Sequence, residues 1–199
     1  LNALTAGTDG GSGTAGTVTA AFATTGTLNG STNLGSVVVT VATGVIMTAA
    51  ANVVAGKTVS KAGTGKLVVQ VGGADAAVDL TTIAGTAFDS VRVIENVTFT
   101  GTLDDNISTF VSDNVTLTAA ASVVNGKTIF DSAGDENGTA VITALHSTLA
   151  ANLSLVTTET VTAAFDGDGV FTGNLGKAVV TVANTKTLTA TAAVVNGKT

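Results

Sequence analysis

No cysteine, proline, tryptophan or tyrosine occurs in this chain of 199 residues, and only one histidine and one methionine do. Without cysteine there is no disulfide framework, so stability must come from burial and backbone hydrogen bonding in any redox compartment. A single histidine and no thiol also exclude the His/Cys sets of ordinary zinc and iron sites. Charge is scarce, at 11% of residues, while hydrophobic residues reach 45%, the reverse of the signature of disorder. The excess of acid, 14 against 8 basic residues for a formal charge of -6, argues against nucleic acid or an anionic membrane as partner. No apolar run reaches the roughly 18 residues of a membrane span.

What is present is Gly, Ala, Val and Thr. Small and β-branched residues favour strands, and the glycines favour tight turns between them. The reading is all-β.

The pattern is a tandem one. Ala49-Ala-Ala-Asn-Val-Val-Ala-Gly-Lys-Thr58 returns as Ala119-Ala-Ala-Ser-Val-Val-Asn-Gly-Lys-Thr128 and again as Ala190-Thr-Ala-Ala-Val-Val-Asn-Gly-Lys-Thr199. The steps of 70 and 71 positions place the chain among repeat architectures. Without gaps the equivalence extends over blocks 37–58, 107–128 and 178–199. Val18-Thr-Ala-Ala-Phe22 and Val161-Thr-Ala-Ala-Phe165 are identical and hold the same register. We read residues 1–199 as one continuous array and expect it to be a window onto a longer polypeptide.

Within each block Met47/Leu117/Leu188, Ala49/Ala119/Ala190, Ala51/Ala121/Ala192 and Val53/Val123/Val194 share one parity. Thr48/Thr118/Thr189 fall on the other, the alternation of a strand with one buried face. Repeated inward Ala means close backbones, as in a narrow parallel β-helix, a β-solenoid. The Asn-Gly pairs at Asn125-Gly126 and Asn196-Gly197 suit corners that need positive φ. A period near 70 and a coil of about 22 to 24 residues predict roughly three coils per repeat and eight or nine in all. The competing architecture is a string of small β-sandwich modules. The seven phenylalanines, Phe22, Phe99, Phe165 and Phe171 among them, are expected in the core rather than as ligand platforms.

Few motifs suggest chemistry. Gly56-Lys57-Thr58 and its copies lack the earlier glycine of a phosphate-binding loop and recur like a structural corner. Asp166 and Asp168, in Asp166-Gly-Asp-Gly169, are the candidate metal ligands, with calcium as the candidate ion, since carboxylates in a Gly-rich loop supply hard oxygen donors. Asp131-Ser-Ala-Gly-Asp-Glu-Asn-Gly138 is a second acidic loop; neither matches a full calcium motif, and solvated turns are the simpler expectation. His146 has no partner in sequence, and no nucleophile elbow or triad spacing occurs, so no enzyme activity is expected. Thr-x-Thr pairs occur at Thr17/Thr19, Thr98/Thr100, Thr116/Thr118 and Thr187/Thr189. They recur about every third coil, too sparsely for the matched threonine on every coil that an ice-ordering face needs, and read as outward β-propensity.

The phrases Thr172-Gly-Asn-Leu-Gly-Lys-Ala-Val-Val-Thr-Val182, Leu188 to Thr199 and Val161-Thr-Ala-Ala-Phe165 resemble the β-strand repeats of very large bacterial surface proteins, surface-layer-like and adhesin-like. That resemblance implies secretion, a cell-surface or extracellular location on a bacterium, and a scaffolding or adhesive role, often with calcium. Two functions are therefore expected as alternatives. One is a self-associating structural segment of a surface layer, fibre or stalk. The other is an adhesin or carbohydrate-binding module, recognising cell-surface glycans through the insertions around 72–79 and 131–138.

Overall fold

A computed structural model describes residues 3–6, 18–85, 88–131 and 137–198. The chain winds as a β-solenoid of about eight turns. Four sheets run along it among the described residues. The first joins Ala3–Ala6, Val18–Phe22, Val38–Val41, Thr58–Lys61 and Ala84–Gly85; the second joins Gly26–Leu28, Ile46–Ala50, Lys66–Val71, Ser90–Val93, Thr109–Val111 and Ile129–Asp131. The third joins Val97–Phe99, Thr116–Ala120, Thr139–Thr143, Thr160–Phe165 and Val179–Val182, and the fourth pairs Gly169–Phe171 with Leu188–Ala190. Among the described strands one pairing is antiparallel, Ala3–Ala6 against Val18–Phe22; the others are parallel. Sandwich modules are built from antiparallel sheets, so the competing architecture is set aside.

The alternation read from the sequence decides what is inside. Met47, Ala49, Leu67 and Val69 are fully buried, while Thr48 and Val68 between them are partly exposed. The buried residues form one cluster from Phe22 to Ala178. Each fully buried Val or Leu contributes about 1.5–3 kcal/mol. Phe22, Phe99, Phe165 and Phe171 lie in this core as expected. The alternation stops at residue 50, however. Ala51–Val54, Ala121–Val124 and Ala192–Val195 are single helical turns, not strand continuations. Val53 and Val54 are therefore both buried, because a helical turn sets consecutive side chains about 100° apart instead of on opposite faces as in a strand, so that two in succession can reach the core. Gly56, Gly126 and Gly197 follow at φ +67, +70 and +71, the left-handed corners predicted for them.

Repeat-equivalent strands do not stack on one another. Ile46–Ala50 lies in the second sheet, Thr116–Ala120 in the third and Leu188–Ala190 in the fourth. Coil lengths explain this. In the second sheet Met47 stacks on Leu67, Val69 on Val91 and Val91 on Thr109. The third coil after Ile46–Ala50 is thus already back in the second sheet at Thr109–Val111, before the chain reaches Leu117, the repeat equivalent of Met47. Each repeat therefore overruns into the next sheet. The coils are unequal in length: the one that closes from Thr162 to Val179 is short, and the one that closes from Ile129 to Val156 is long. The longer ones hold the irregular segments seen in the sequence.

Candidate functional surface

Each Gly-Lys-Thr corner acts as a clasp between coils. Lys57 Nζ donates to the carbonyl oxygen of Gly35 at 2.5 Å, Lys127 Nζ to that of Leu103 at 2.9 Å, and Lys198 Nζ to that of Gly176. The recurring lysine therefore reaches back one coil and satisfies a corner carbonyl that a strand ladder leaves free. Lys127 also pairs with Asp105. The corner that follows Ile46–Ala50 carries another clasp. Asp75, only 5% exposed, accepts the Asn52 N–H at 2.8 Å through Oδ1 and the Gly72 N–H at 3.0 Å through Oδ2. Insertion 72–79 is thus an ordered, hydrogen-bonded part of the stack; much of insertion 131–138 lies outside the described residues.

Asp166 and Asp168 are exposed at the turn after Thr160–Phe165. Asp166 pairs with Nδ1 of His146 on the preceding coil. Asp168 accepts the Thr187 N–H at 2.8 Å and lies 3.6 Å from Lys186 Nζ on the following coil. The two carboxylates turn to different partners, one from each neighbouring coil. Calcium takes six to eight oxygen ligands, and among the described residues no three His, Cys, Asp or Glu side chains gather as a metal site. The geometry is that of turns tied by side-chain contacts to the coils on either side.

Asp131 ends a strand of the second sheet. Its Oδ2 accepts the Glu159 N–H at 2.5 Å, while its buried Oδ1 has no hydrogen-bond partner among the described residues. Burial pushes its carboxyl above the ordinary value, against the pull of the Glu159 N–H and of Lys177.

The outward faces of the second and third sheets differ. On the second, Ala50, Gln70, Arg92, Phe110 and Phe130 follow one another in register. Phe110 and Phe130 meet edge to face with ring centroids 4.3 Å apart and are partly exposed. The sequence reading placed all seven phenylalanines in the core, and these two correct it: they stand on the outward side of their strands. The signal was in the register: Phe110 sits where block 37–58 has Thr40, an outward position.

On the third sheet, one outward rank is Thr116, Thr139 and Thr160. Beside it runs Thr98, Thr118, Val141, Thr162 and Val179. Further along, Ala120 lies against Thr143 and Ala164 against Thr181. Threonine therefore occupies outward positions on consecutive coils of this sheet. The sequence count of one Thr-x-Thr in about three coils missed this, because Thr139, Thr160 and Thr162 come from segments that the repeat does not align with Thr116 and Thr118. A shallow groove lined by Asn96, Thr98, Thr116 and Thr118 runs between two of the rungs.

Fold and surface together define a β-solenoid clasped at its corners and bearing two chemically distinct outward faces. No helix among the described residues is long and apolar enough to cross a membrane. Comparison with family models, with curated proteins and with solved structures finds no match.

Proposed function

We propose that this chain is a structural, self-associating segment of a bacterial extracellular assembly: a surface layer, fibre or stalk. The observation that carries this reading is the continuous dry core from Phe22 to Ala178, reinforced at its corners by lysine and aspartate clasps between coils. Such a stack is stiff because each coil is hydrogen-bonded along its length to the next, and it lengthens by adding units. The repeat of roughly 70 residues serves as the unit of lengthening, and rigidity is the function. Calcium at Asp166 and Asp168 would have to displace their contacts with His146 and Lys186.

Electron microscopy of the native protein with and without a calcium chelator tests it. Filaments or ordered lattices support the scaffold, and their dissolution by the chelator adds calcium. Dispersed particles in both conditions sink the scaffold reading.

The second reading, a carbohydrate-binding surface module, is favoured by the outward Phe110–Phe130 pair beside Arg92. Aromatic rings next to a cationic hydrogen-bond donor suit sugar rings, which offer C–H faces and hydroxyl edges. Affinity electrophoresis in gels containing cell-wall polysaccharide, comparing the native chain with Phe110→Ala, tests it; retardation of the native chain alone supports binding, and equal mobility of both rejects it.

A further inference from the structure

The threonine residues of the third sheet join the coils through their backbone ladder, while their side chains make no hydrogen bond between coils among the described residues. The core lies on the other side of this sheet, and the clasps lie at the corners. We infer that this face binds ice, with crystalline water as its ligand.

Four observations bear on this. The first is the grid. Thr116, Thr139 and Thr160 stand directly over one another, and so do Thr98, Thr118, Val141, Thr162 and Val179, one residue opposite one residue. Neighbouring strands lie about 4.7–4.9 Å apart and alternate residues on a strand about 6.6–6.8 Å apart. The face is thus a two-dimensional lattice whose two spacings lie near the oxygen repeats of a prism plane of hexagonal ice. Parallel stacking with side-chain ladders is also the circumstance in which sheets stay flat.

The second is that the hydroxyls are unspent. Some threonine hydroxyls in the loops are used internally: Thr81 donates to Asp79 at 2.6 Å, Thr82 to the Asp79 carbonyl at 2.6 Å and Thr158 to the Thr160 carbonyl at 2.9 Å. By contrast Thr98, Thr116, Thr118, Thr139, Thr143, Thr160 and Thr162 make no side-chain hydrogen bond with the described residues. Each keeps one donor and two acceptor lone pairs for water.

The third is the absence of charge. Within the paired strands the outward positions of these ranks are Thr, Val and Ala; the first rank is bounded by Asn96, whose side chain accepts the Thr116 N–H, and by Lys177, two residues before Val179. Where Val replaces Thr, at Val141 and Val179, the branched shape and the methyl group are kept.

The fourth discriminates against a protein partner. Protein interfaces are anchored by aromatic and arginine side chains. Those lie on the second sheet of this chain, at Arg92, Phe110 and Phe130, and none lies within the threonine ranks.

The test partitions the intact chain between slowly grown ice and liquid and follows recrystallisation of fine-grained ice by microscopy. The native chain should enter the ice and arrest recrystallisation. The double variant Thr118→Lys/Thr139→Lys should lose both activities several-fold at an unchanged melting temperature. Thr48→Lys, on the outward side of the second sheet, should lose neither. Exclusion of the native chain from ice, or equal loss in both variants, overturns the inference. Exclusion from ice together with a side-by-side association that Thr118→Lys/Thr139→Lys abolishes in sedimentation overturns it too, and assigns the face to packing between rods.

Discussion

Lys127 Nζ donates a hydrogen bond to the carbonyl oxygen of Leu103 at 2.9 Å, reaching back to the preceding coil. The same reach joins Lys57 to Gly35. It explains why lysine follows glycine in each copy of the Gly-Lys-Thr corner in a chain otherwise poor in charge. Replacing Lys127 with Met keeps the apolar stem and removes the donor. The expected loss is about 1 kcal/mol, the net value of one hydrogen bond, measured by urea unfolding; an unchanged midpoint would show that the clasp contributes nothing.

Gly126 at φ +70 has open space where a Cβ would stand. A substitution there meets no clash, so its cost is purely conformational. Gly126→Val should lower stability by about 1–2 kcal/mol, because a β-branched residue resists positive φ. Gly126→Asn should cost less. Thermal unfolding of the two variants side by side checks the order.

Asp75 joins the corners of two coils through Asn52 and Gly72. In Asp75→Ala both N–H groups lose their acceptor in a buried site, and a loss of about 1–3 kcal/mol is expected. Asp75→Asn keeps one acceptor oxygen and should fall between the two. Amide exchange at Asn52 should quicken in Asp75→Ala before the exchange of the strands does.

The Asp131 carboxyl is held above its ordinary value by burial. Folding therefore favours its neutral form, a benefit present at low pH and lost as pH rises through the folded-state value. Asp131→Asn mimics that neutral form. It should be more stable than the native chain at neutral pH, and its advantage should shrink as acid protonates Asp131. Denaturant midpoints of both chains across that range check it; an advantage that grows toward low pH would reverse the sign.

Leu117 lies at 2% exposure beneath the third sheet. Leu117→Ala should cost about 2–5 kcal/mol through lost burial and the cavity left behind. Thr118→Ala, one residue along and facing out, should leave stability nearly unchanged. Urea unfolding of the pair separates the inward from the outward side of one strand.

Several of these relationships are legible in the sequence. The parity of Met47 and Ala49, the glycine corners and the parallel β-solenoid all follow from local rules: period-two burial, positive φ at glycine and the recurrence of one block. The helical turns at Ala51–Val54 and its copies were harder to read, since Ala and Val in a short run fit strand and helix alike. The contact of Asp166 with His146 and the ion pair of Asp168 with Lys186 each join neighbouring coils, and across a whole coil the local pattern carries no information about which side chains will meet.

By itself the sequence determined which side of each strand is apolar and where the chain must turn, because these depend on residues next to one another. Only the tertiary structure decided which strands lie side by side. Stacking is set by the length of chain between corners, and that length varies from coil to coil. Thr139 meets Thr116, and Thr160 meets Thr139, because each coil between them closes at the point that returns a threonine to the same rung. The same unequal lengths carry equivalent strands into successive sheets, so the outward faces, and whatever they bind, are products of coil length rather than of the repeat.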